Sequence, residues 1–187
     1  MNLQYYKEIL ERAGVVFESG LSQAEIQELE RQYAFAFPSD LKDFLMFALP
    51  TSQGFLNWRR ASNDEIVYSL TWPYEGMCFD IEQNSFWLEK WGQQPASLDE
   101  AFSIARKAIE QAPTLIPING HRYIPDRPNE AGNPIFSVYQ TDIVYYGCDL
   151  ADYLQNEFSY YFGRSEHFLK GEIKYIEFWS QFAEDAV

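Results

Sequence analysis

With 187 residues, 47% hydrophobic and 22% charged, the chain can bury a core of its own, and a disordered class is excluded. Its 28 acidic against 14 basic residues give a formal charge of −14, a field that repels nucleic acid and anionic membrane surfaces and attracts basic proteins or cations. No apolar run approaches the roughly 20 residues that cross a bilayer, and Cys78 and Cys148 are too few and too far apart for a disulfide framework or a zinc site.

The first residues mix charges into a helical pattern at Leu3, Tyr6 and Leu10, in place of a basic start and an apolar core. A cytoplasmic protein with reduced thiols is therefore expected. Gly14, without a Cβ, suits the end of that helix. Ser22 and Glu25 then have capping-box spacing, with Leu21 and Ile26 as a hydrophobic staple. Pro38 fits the first turn of the next helix, where Leu41, Phe44, Leu45 and Ala48 form one apolar stripe. From Thr51 to Trp72, polar stretches interrupted by Phe55, Trp58, Ile66 and Tyr68 predict loops and short strands. From Gly76 to Leu88, Met77, Phe79 and Ile81 alternate with Cys78, Asp80 and Glu82, which predicts two strands turning at Asn84-Ser85.

Ser97 and Glu100 repeat the capping-box spacing, and Leu98, Phe102, Ala105 and Ile109 mark a helix that must stop before Pro113. Leu115 to Ile118 reads as a short buried strand, and 125–134 as a loop crowded with Pro, Asp, Asn and Gly. Ile135–Tyr139 and Ile143–Tyr146 predict a β-hairpin across Gln-Thr-Asp. Asp149 caps a helix carrying Leu150, Tyr153, Leu154 and Phe158, with Gly163 beyond its end. Tyr175, Phe178, Trp179 and Phe182 have the spacing of a last helix. Helices flanking a run of strands indicate an α+β domain with an antiparallel sheet.

A search for chemistry finds little. His121 and His167 are the only histidines and belong to no ligand pair. His121, Asp126 and Glu130 share one loop and offer at most a weak cation site. No nucleophile elbow or phosphate-cradling glycine loop is present, and a Cys–His pair would depend wholly on the fold. No enzyme activity, cofactor or metal is expected.

Several stretches, in order, resemble the SUKH superfamily, which includes the yeast cell-wall assembly regulator and many bacterial immunity proteins. They are Gly-Leu-Ser-Gln-Ala-Glu-Ile at 20–26, Phe-Pro-Ser-Asp-Leu at 37–41, and Phe-Trp at 86–87 with Trp-Gly-Gln-Gln-Pro at 91–95. Leu-Ile-Pro-Ile-Asn-Gly-His-Arg-Tyr-Ile-Pro at 115–125 and Asn-Pro-Ile-Phe-Ser-Val-Tyr-Gln-Thr-Asp-Ile-Val-Tyr-Tyr-Gly at 133–147 continue the likeness. It covers roughly 20–158 of a single domain, with 159–187 as a C-terminal helical extension. Trp87, Trp91, Gly120, Arg122 and Tyr123 fall on the matching motifs.

The resemblance implies helices packed on one side of an antiparallel sheet. It also implies binding without catalysis, as in immunity proteins that neutralise toxins, often nucleases, inside the cell. A basic cognate toxin is the expected partner. The expected contacts are acids in loops and exposed strand positions: Asp64, Glu65, Glu75, Glu82, Glu89, Asp126 and Glu130. The alternative is a regulatory or scaffolding module without a toxin.

Overall fold

The computed structural model describes residues 1–52, 54–159, 169 and 171–184. Its first half holds α1 (Leu3–Arg12), β1 (Phe17–Ser19), α2 (Gln23–Tyr33), α3 (Ser39–Phe47), β2 (Ala48–Pro50) and α4 (Asn63–Gln83). Its second half holds α5 (Leu98–Gln111), β3 (Leu115–Asn119), β4 (Arg122–Pro125), β5 (Ile135–Tyr139), β6 (Asp142–Gly147), α6 (Leu150–Ser159) and α7 (Ser180–Glu184). This is an α+β fold. β1 and β2 form an antiparallel pair, and β3-β4-β5-β6 form an antiparallel meander.

The α2 entry forms as its spacing predicts. Ser22 Oγ accepts the Glu25 amide at 3.2 Å, and Glu25 Oε2 accepts the Ser22 amide at 2.7 Å. Leu21 and Ile26 are both buried. Arg59 adds what no local pattern could reveal: its Nε donates to Glu25 at 2.6 Å, and its two Nη groups donate to the carbonyls of Ser19 and Gly20. Hydrogen bonds from Arg59, then from Ser22, hold the Glu25 carboxyl down at about 2. A depressed native value stabilises above the ordinary value of 4.5, and that contribution is lost as pH falls through about 2. Glu25→Gln is therefore expected to lower the melting temperature at pH 7 by about 2–4 °C, the effect of a partly exposed pair. The gap between variant and wild type should close as melts are repeated from pH 4.5 down to 2.

Pro38 stands at the N-cap of α3, one position before the first turn. Leu41, Phe44, Leu45 and Ala48 are all buried, the last already in β2.

Residues 63–83 depart from the expected loops and strands, forming one 21-residue helix. Ser62 and Glu65 make a full capping box at its start. Met77 and Ile81, four apart, are buried while Phe79 faces out, so the apparent period of two is one side of a helix. Pro73 lies inside α4 and cannot donate to the Ser69 carbonyl. The Tyr123 hydroxyl donates to that carbonyl at 3.0 Å instead. Tyr123→Phe would strand it and is expected to cost about 1–2 kcal/mol in urea denaturation.

The four-stranded sheet is buried on both faces. Ile116, Ile118, Ile124 and Ile135 join a cluster with α1, α2, α3 and α6. Leu115, Tyr123, Phe136, Val138 and Ile143 join a second cluster with α4, α5 and the C-terminal segment. Since neighbouring strand residues point to opposite faces, helical segments cover both sides of the sheet and not one alone. The β5–β6 turn is Gln140-Thr141, with Gln140 at φ 58°.

Asp149 Oδ1 accepts the Asp152 amide at the start of α6. Gly163, expected past that helix, lies outside the described residues. The last helix is shorter than expected: α7 begins at Ser180, and Tyr175 is exposed on an irregular stretch. Among the described residues no helix is long and apolar enough to cross a membrane.

Candidate functional site

Four of the seven expected contact acids lie on α4, and the helix explains how they meet. Asp64, Glu75 and Glu82 are separated by 11 and then 7 positions, close to whole turns at 3.6 residues each. They share the outward side of α4 along about 27 Å. Glu65 sits beside them but is engaged by the cap, and hydrogen bonds from Ser62 hold its carboxyl below the ordinary range. Glu89 is exposed in a short helical turn, Glu89–Trp91, after α4. Among the described residues none of these five acids is in an ion pair.

The other two acids part from the group. Glu130 is exposed but paired with Lys174 at 2.7 Å. Asp126 is only 6% exposed, against the surface position its loop composition suggests. Its Oδ1 accepts the Thr114 amide at 2.7 Å and meets Arg127 Nε at 3.5 Å. Burial pushes its carboxyl above the ordinary range despite those partners. Asp126 therefore fastens the start of β3 to the end of β4 and leaves the contact set.

Large apolar side chains stand among the α4 acids, brought there by the helix and by no local pattern of the sequence. Tyr68 is 60% and Phe79 48% exposed, and both lie on the same side as Glu75. Tyr68 packs edge-on against Trp72, whose indole N–H donates to the Val138 carbonyl. The β5–β6 turn grips the helix from the flank. Thr141 donates its amide and hydroxyl to the buried Asp80, and a Cβ on Gly76 would come within 2.7 Å of Gln140 Cα. Tyr139, 60% exposed, immediately precedes that turn.

The remaining candidates resolve into architecture. His121 occupies the β3–β4 turn while Asp126 lies past the far end of β4, so the expected loop cluster does not assemble. Desolvation and the Arg122 cation lower the His121 pKa, leaving a neutral imidazole at pH 7. His167 lies outside the described residues. Among the described residues no three His, Cys, Asp or Glu side chains gather to hold a metal ion. Both cysteines are buried, Cys78 on α4 and Cys148 with its Sγ accepting the Gly171 amide at 3.1 Å. Burial raises the Cys78 thiol against its hydrogen bond with Tyr74, which disfavours the reactive thiolate.

The motif residues have packing roles. Trp87 and Trp91 meet edge-on, and the Trp87 indole N–H donates to the Gly92 carbonyl. Gly120 supplies a φ of 53° to the β3–β4 turn, and the Arg122 guanidinium lies 3.5 Å over the Tyr146 ring. A cleft of about 520 Å³ runs between Trp91, Pro113, Arg127, Tyr175 and Phe178. Its cations are engaged: Arg127 donates to the Gln111 and Ala112 carbonyls, and Lys90 to Gln181.

The candidate site of this α+β domain is thus an outward helix face on which carboxylates in no ion pair among the described residues alternate with exposed aromatics. No family model, curated protein or solved structure matches the chain.

Proposed function

We propose that this chain is an intracellular, non-catalytic protein-binding domain that neutralises a basic toxin, in the first instance a nuclease, by occupying its cationic surface. The observation that carries this reading is a formal charge of −14 whose exposed carboxylates on and after α4 have no cationic partner among the described residues. The ordered SUKH-like motifs of the sequence support it independently. A nuclease collects cations where it binds phosphates, and an array of carboxylates can take the place of those phosphates without any bond being made or broken.

Electrostatic steering sets the test. The product of the neighbouring gene is expected to arrest growth when expressed alone, and co-expression with this chain to restore it. With the purified pair, the association rate constant should fall by about tenfold or more between 50 and 500 mM salt, while dissociation changes little. An association rate indifferent to salt would overturn the proposed steering.

A further inference from the structure

We propose that the outward stripe of α4, extended by the tip of the β5–β6 hairpin, is the docking surface, and that its occupant is a cationic protein with an apolar recess. The toxin reading above supplies the partner's identity. The surface itself is argued from α4.

Asp64, Tyr68, Glu75, Phe79 and Glu82 follow one another at spacings of 4, 7, 4 and 3, so acid and ring alternate along a single helical side. Charge alone would need no rings there, and solubility alone is better served by polar side chains. Aromatic residues carry interface centres because they bury a large area at small conformational cost, while surrounding charges set orientation and encounter rate. The stripe also has little ordering left to lose. Trp72 is fixed to Val138, Gly76 abuts Gln140, and Asp80 holds Thr141, so anchors and acids are presented on a braced helix. These carboxylates, in no ion pair among the described residues, select the charge of the partner. A like-charged second copy of this chain would meet repulsion along the same line.

The test measures binding to the purified product of the neighbouring gene, taken as the candidate toxin and used in catalytically inactivated form. Tyr68→Ala with Phe79→Ser removes two anchors and is expected to weaken binding at least 100-fold, mainly through faster dissociation. Glu75→Lys with Glu82→Lys is expected to slow association about tenfold or more. Glu8→Lys with Glu11→Lys on α1 makes the same change in net charge away from the stripe and should alter affinity less than threefold. All altered side chains are solvent-facing, and unchanged thermal melts establish that each variant is folded. If the wild type binds and the α4 variants bind as tightly, the surface assignment is overturned and the toxin reading stands. If the wild type does not bind that toxin, both fall. A wild-type dimer that Tyr68→Ala dissociates would assign the stripe to a second copy and overturn the proposed occupant.

Discussion

Gly20→Ala is expected to leave little folded protein at 37 °C. Gly20 follows β1, and its carbonyl accepts Arg59 Nη2 at 2.9 Å. The next amide, of Leu21, donates to the Leu45 carbonyl in the last turn of α3 at 2.9 Å. Held from both sides, the backbone runs so close to α3 that an added Cβ would fall 1.8 Å from the Met46 carbonyl oxygen. The obstacle is main chain, so no rotamer change relieves it. Relief would require α3 to separate from β1, breaking up the β1–β2 pair and the burial of Leu21 and Leu45. Overpacking against movable side chains costs about 1–3 kcal/mol, and a backbone obstacle is expected to exceed that range. Gly14→Ala provides the contrast. Its φ of +88° strains any L-residue, but a Cβ there meets nothing within 4 Å, so the cost should stay near about 1–2 kcal/mol. Urea denaturation followed by circular dichroism separates the two. A Gly20→Ala protein with the wild-type midpoint would show that the chain can open this approach without penalty.

The contrast between α2 and α4 explains which parts of this fold were legible. Both begin with a Ser-x-x-Glu capping box, and in α2 an uninterrupted apolar periodicity follows it. In α4 the signal is broken by Pro73 and Gly76, residues that ordinarily stop a helix. What permits them lies far along the chain: the Tyr123 hydroxyl, 54 positions on, completes the carbonyl that Pro73 abandons. Gly76 makes room for the backbone of Gln140. Such long-range compensation leaves no local trace. The β5–β6 hairpin and α5 were legible because turn residues and a capping serine act on their own neighbours.

The candidate site was legible in part for the same reason. Composition marks Glu75 and Glu82 as acids, but only the helix brings them together with Asp64. Composition likewise cannot distinguish Asp126, fixed by Thr114 and Arg127, from an exposed loop acid. Nor can it separate Tyr68 on the surface from Tyr153 in the core. The apolar run at Leu115–Ile118 did carry a readable hint, since an unbroken apolar strand indicates burial on both faces.

Trp179→Ala is expected to cost about 3–5 kcal/mol and to lower the melting temperature by roughly 10 °C. Trp179 is 1% exposed, and its indole N–H donates to the Pro113 carbonyl at 2.6 Å, joining the C-terminal segment to the end of α5. Its ring lies edge-on to Phe178 at 4.8 Å, and Phe182 completes the group. Other bonds fix the same segment: the Ile176 amide donates to Ser180 Oγ at 2.7 Å, and Lys174 reaches Glu130, Ala131 and Asn133. These contacts make 174–184 a wall of the second hydrophobic cluster, shared with Met77 and Ile81 on the inner side of α4. Trp179→Phe keeps most of the buried ring but strands the Pro113 carbonyl, so it should cost less, about 1–3 kcal/mol. If the segment served instead as an arm for a partner, independent of the domain's packing, both variants would melt with the wild type.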